Sequence, residues 1–186
     1  MARRSRNSGT NPGASDLLGA LEAVLASADQ VFAGWTCPAS TECCRFGVTG
    51  REPYVTSIEI ALIRRAIAAR GGPSSWKRAG AIAPAGEAVD RRSLPLAVDE
   101  RRCPMLTDAG RCAIYAARPL GCRTFFCDRA SSAGRVRHRE VDALVREIQA
   151  IAAQHEPAGD QGRPLTRALA DLIGKGKRAA TCARRP

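Results

Sequence analysis

Apolar residues recur at helical spacing in three long stretches, and each stretch predicts a helix with one buried face. In residues 16–33 the face is Leu17, Leu18, Leu21, Val24, Leu25, Ala28, Val31 and Phe32. Ser15 suits the cap of that helix and Asp16 its first turn. The second stretch carries a full start signal. Thr56 and Glu59 form a capping box, and Val55 can staple onto Ile60. Ile60, Ile63 and Ile67 make its buried stripe, and Gly71-Gly72-Pro73 ends it. The third helix spans residues 137–154, with Val141, Leu144, Val145, Ile148, Ile151 and Ala152 inward. Pro164 opens a shorter helix with Leu165, Leu169, Leu172 and Ile173, stopped by Gly174.

Between these helices the pattern breaks up. Pro84, Gly86 and Pro95 interrupt residues 73–102, leaving a helical turn or two at 87–92 and an extended stretch at 94–98. Residues 103–106 and 111–115 read as a hairpin closed by Thr107-Asp108-Ala109-Gly110, with Gly110 supplying a positive φ. The expected fold is mainly α (α+β): three long helices around a cysteine-rich metal-binding core with a short β-hairpin. The expected organisation is a disordered basic arm over residues 1–14, a cysteine-cluster domain over 15–155, and a linker, short helix and basic tail over 156–186.

Chemistry enters with the cysteines. Seven of the eight fall in two groups, Cys37, Cys43 and Cys44 upstream and Cys103, Cys112, Cys122 and Cys127 downstream. Disulfides would need an oxidising compartment. The amino terminus has the charge of a signal segment, and Ala26-Ser27-Ala28 resembles a cleavage site, but Glu22 interrupts the apolar run before it. Burial as small hydrophobes explains one or two cysteines, not seven in two groups. Metal ligation by thiolates is the reading that accounts for the clustering, with all seven as ligands. Zinc and iron both remain open. Only Cys122-x4-Cys127 has a usual structural-zinc spacing, and neither common ferredoxin spacing is present. Seven thiolates exceed one four-ligand ion. The adjacent pair Cys43-Cys44 is expected to diverge and serve two metals, giving a closed four-cysteine site beside a three-thiolate site with an open position. An iron–sulfur cluster fits the same count.

The order of these residues carries a resemblance. A split cysteine group ending in Cys43-Cys44 comes first. Cys103-Pro-Met-Leu and Gly110-Arg-Cys112-Ala-Ile-Tyr-Ala-Ala-Arg-Pro follow, then Cys122-Arg and a last Cys127. The chain resembles the YkgJ-type cysteine-cluster family over roughly residues 37–127. That family's description names a zinc- or iron-chelating domain and leaves the metal unsettled. Its members often open with close Cys-x-x-Cys pairs, whereas Cys37 stands six positions before Cys43. A flagellin lysine methylase carries a similar cysteine pattern, which implies redox or group-transfer chemistry at a cluster as an alternative to simple metal holding.

Several residues near the motif have two readings. Arg118 and Arg123 either offset thiolate charge or lie on the surface. Phe125 and Phe126 shield the site or fill core. Gly121 is expected to let the backbone bend at Cys122. Glu59 is assigned to its capping box rather than to a metal, and His138 and His155 to the surface. Cys182, in the basic tail, has no partner at ligand spacing.

The formal charge is +11. It points to nucleic acid as a partner, hence to an RNA- or ribosome-associated module with structural zinc as a further alternative. Two facts reduce that signal. Nearly all the basic residues are arginine in a chain rich in Ala, Gly and Pro, as GC-rich coding produces. Two Zn²⁺ ions on seven thiolates would also lower the charge to about +8. No apolar run has transmembrane length, so the expectation is a cytoplasmic bacterial protein with no membrane partner.

Overall fold

A computed structural model of the chain describes residues 13–31, 41–72, 102–124 and 138–172. The elements, in order, are α1 (Ala14–Val31), a 3-10 turn (Glu42–Cys44), α2 (Phe46–Thr49), β1 (Tyr54–Val55) and α3 (Ser57–Ala69). A second 3-10 turn (Tyr115–Ala117), α4 (Leu120–Thr124), α5 (His138–His155) and β2 (Arg163–Pro164) follow, and residues 165–172 form α6. The described chain is mostly helical, with one two-stranded antiparallel sheet pairing Tyr54 with Pro164 and Val55 with Arg163.

Helix α3 is central because both of its sides are apolar. Ile58 and Leu62 join Leu17, Leu21 and Leu25 of α1 and Leu144, Ile148 and Ile151 of α5 in one cluster. Ile60, Ile63 and Ile67 face a second cluster of Phe46, Val55, Met105, Ile114, Leu165 and Leu169, against which Cys44, Cys112 and Cys122 pack. Fully burying each such side chain contributes about 1.5–3 kcal/mol. The start and stop of α3 are those predicted. Thr56 and Glu59 form a reciprocal capping box. At the other end Gly72 N–H donates to Ile67 O and Gly71 N–H to Ala68 O, a Schellman motif with both glycines at positive φ.

Three local expectations are corrected. Helix α1 begins at Ala14, before Ser15. The N–H groups of Asp16 and Leu17 donate to Gly13 O, while the Asp16 carboxylate reaches back to Gly13 N–H, so Gly13 takes the cap position. The hairpin shrinks to one antiparallel bridge between Leu106 and Cys112. Leu106 N–H donates to Cys103 O, so the chain turns before a ladder can extend, and past Cys112 it enters the second 3-10 turn. Gly110 does adopt a positive φ, +69°. Gly121 does not; it sits in α4 against Pro53, where an added Cβ would lie 2.7 Å from the proline Cβ. Its need is close approach, not a bend.

Residues 156–172, expected as linker and short helix, pack onto the cysteine-bearing part through shared caps. Asp160 Oδ2 accepts from Ser57 N–H at 2.5 Å, capping α3. Glu52 Oε1 accepts from the N–H and hydroxyl of Thr166, both at 2.6 Å, capping α6. Burial opposes ionisation of Asp160, yet the donors on Ser57 and Gly162, with His155 nearby, outweigh it and hold its carboxyl below the usual range.

Candidate metal centre

Two backbone devices bring the cysteine groups together. Thr41 adopts a positive φ of 59°, uncommon for a β-branched residue, and its carbonyl accepts from Cys44 N–H at 2.9 Å. The resulting 3-10 turn carries Cys43 and Cys44. Cys103 N–H then donates to Cys44 O at 2.7 Å, and Arg45 bridges Arg102, locking the upstream group to the downstream one. Cys112 arrives through the Leu106–Cys112 bridge, and Cys122 on α4.

Five predicted ligands therefore meet. Cys43, Cys44, Cys103, Cys112 and Cys122 are free thiols lining one cavity of about 420 Å³. Its other wall is Phe46, Met105, Ile114 and Leu165, with Arg111 and Arg118 the charged residues among its described lining. No carboxylate or imidazole is among those lining residues. Cys37 and Cys127 lie outside the described residues, as do Cys182, Phe125 and Phe126. His155 is not at the cavity; its Nδ1 is hydrogen-bonded to Ser57 Oγ at 2.8 Å.

The Cys43 and Cys44 sulfurs are 3.8 Å apart. This corrects the expectation that adjacent side chains diverge. A tetrahedral ion with metal–sulfur bonds of about 2.3 Å has sulfur–sulfur edges of about 3.8 Å, so the pair is spaced as two ligands of one ion. Among the described residues no three His, Cys, Asp or Glu side chains are arranged as they stand to hold an ion.

Crowding and burial raise four of these thiols. The Cys43 thiol is pushed up by its hydrogen bond with Cys44 and then by burial. Cys44 is pushed up to about 12, first by the Cys103 thiol against it, with burial adding. Burial raises Cys112 and Cys122, and for Cys122 the Cys112, Cys44 and Cys43 sulfurs add to it. Crowded, half-buried thiols cannot all ionise alone, because each thiolate repels the next; a bound cation removes that penalty.

Sequence reasoning assigned Glu59 to a cap and missed its second task. Glu59 is 4% exposed. Its Oε2 accepts from Thr56 N–H, while Oε1 accepts from Leu120 N–H at the start of the cysteine-bearing α4. Arg123, left between two roles, turns away from the cavity. It pairs with Asp29 of α1, and its Nε and NH2 groups donate to Arg118 O (2.9 Å) and Ala116 O (2.6 Å). The described residues carry thirteen arginines, no lysine and thirteen acids, so the whole +11 excess lies outside them.

No described helix is long and apolar enough to cross a membrane. Neither curated proteins nor solved structures gave a match to the chain. A family model does match. It is CxxCxxCC, described as a "putative zinc- or iron-chelating domain", and it covers residues 36–143, more than half of the chain and both cysteine groups. By that match, over the residues that converge on the thiol-lined cavity, the chain belongs to the CxxCxxCC family of zinc- or iron-chelating domains.

Proposed function

We propose that this protein holds zinc or iron through the thiolates of Cys43, Cys44, Cys103, Cys112 and Cys122, with Cys37 and Cys127 completing the ligand set. The observation that carries the reading is the Cys43–Cys44 sulfur separation of 3.8 Å inside a cavity walled by three further thiols. A donor set of sulfur alone suits zinc and iron–sulfur chemistry and is unsuited to hard cations such as magnesium. Cys43 and Cys44 offer a preformed edge, and side-chain rotation of Cys103, Cys112 or Cys122 brings the further ligands. When bound, the metal supplies a cross-link between segments far apart in sequence, and binding free energy to such a site is folding free energy. The thiols bind as thiolates, so each ligation releases a proton. The reading needs reduced cysteines and therefore places the protein in a reducing compartment such as the cytoplasm.

An iron–sulfur cluster is the second reading, favoured by the number of thiols. Five line one cavity, one more than a single four-coordinate ion takes. Elemental analysis and an absorption spectrum of protein purified without oxygen separate the two. Zinc without colour supports the ion; iron with equimolar sulfide and visible absorption supports the cluster. Protein lacking either metal under both reducing and metal-supplemented growth overturns the proposal.

A further inference from the structure

Arg118 and Arg123 are five residues apart in the same motif, and the fold gives them different work. Arg123 has its side chain 5% exposed and its charge matched by Asp29. Its bonds to the carbonyls of residues 116 and 118 fix the backbone of the turn that carries Arg118. Arg118 is half-buried and lines the thiol cavity, where none of the described lining residues is a carboxylate. Its Nε donates to Tyr115 O at 3.0 Å, and its guanidinium carbon stands 3.6 Å from the centroid of the Tyr115 ring. Those two contacts hold the cation in one orientation on the wall of the thiol cavity.

Four thiolates around a divalent ion leave two negative charges in a partly buried space, and such charge is costly unless a cation faces it. Arg111 also lines the cavity, but it is exposed and its field is screened by water and salt. We propose that Arg118 is the positioning residue that balances the charge of the thiolate centre; this rests on the metal-binding reading above.

The test measures Zn²⁺ affinity of the full chain by competition with a chromophoric chelator, and the Co²⁺ thiolate absorption, for wild type, Arg118→Gln, Arg118→Lys and Arg65→Gln. Removal of the cation should weaken binding about 10- to 100-fold, as for other groups just outside a metal's ligands. Arg118→Lys keeps the charge but loses the Nε bond and the stacked guanidinium, so it should fall between wild type and the Gln variant, a partial rescue that a purely structural role would not show. Arg65→Gln removes a surface pair with Glu22 and should change nothing. Circular dichroism checks that each metal-free variant is folded; if the Gln variant is not, Arg118→Met, also unbranched and uncharged, replaces it. Unchanged affinity in the neutral variant overturns the proposal, and so does a Lys variant as weak as the Gln one. A wild-type chain that binds neither ion is a different result: it removes the metal-binding reading, and the role of Arg118 with it.

Discussion

The carboxylate of Glu59 accepts the backbone N–H of Leu120 at 2.9 Å, across 61 residues of chain. One buried side chain thus caps α3 through Oε2 and α4 through Oε1, coupling the central helix to the turn that carries Cys122. Glu59→Ala would orphan both N–H groups. The expected cost is about 2–4 kcal/mol, from a lost cap and a buried unpaired donor. Glu59→Gln keeps an acceptor and should cost about half as much. Urea unfolding of both variants checks this; equal and small effects would mean that Leu120 finds another partner.

Two glycines should respond to alanine with opposite signs. At Gly121 the new methyl would lie 2.7 Å from Pro53 Cβ, so α4 must shift, at about 1–3 kcal/mol. At Gly19, exposed in α1, nothing lies within 4 Å of the new methyl, and α1 should gain roughly 0.5–1 kcal/mol. Thermal melts of the two variants test the packing of α4 independently of any metal.

The eight cysteines should separate when each is changed to serine, which replaces a soft thiolate by a protonated hydroxyl. Cys43→Ser and Cys44→Ser remove one end of the 3.8 Å sulfur pair and should lose most bound metal. Cys103, Cys112 and Cys122 should follow, along with Cys37 and Cys127, whereas Cys182→Ser should keep full stoichiometry. Metal content per chain decides. Full retention by Cys103→Ser and Cys112→Ser would remove the downstream group from the site.

Raised thiol pKa values give a pH dependence of fixed sign. Cys44 titrates near 9.0 when unperturbed and at about 12 in the fold. A group that binds its proton more tightly in the folded state stabilises fully below the unfolded value and loses that contribution as pH rises toward the folded one. Metal-free protein should therefore melt at progressively lower temperature above about pH 9, where the unfolded chain releases protons that the folded chain retains. Metal affinity should move the other way below that range, rising with pH because protons compete for the ligands. Melting curves of metal-free protein from about pH 7 to 10.5 test the first point, and chelator competition from about pH 6 to 8 the second. A melting temperature that does not fall above about pH 9 would mean that the thiols are not crowded as described.

The helices were legible because their information is local. Thr56, Glu59, Gly71 and Gly72 specify the ends of α3 through contacts within a few residues, and the apolar spacing marks the buried faces of α1, α3 and α5. Local pattern also named the cysteines, since burial as small hydrophobes does not account for seven thiols in two groups. What spacing could not show is direction. Adjacent side chains ordinarily diverge; Cys43 and Cys44 converge because Thr41 takes a positive φ and Cys103 pins the Cys44 carbonyl, and both depend on the packed chain. Arg118 and Arg123 were equivalent in sequence for the same reason. Only docking of α4 on α1 puts Asp29 within reach of Arg123 and leaves Arg118 facing the thiols. Residue types and short-range spacing were thus enough to point to thiolate chemistry, while the tertiary structure, through hydrogen bonds and charges that act across distant segments, decided which groups share a cavity.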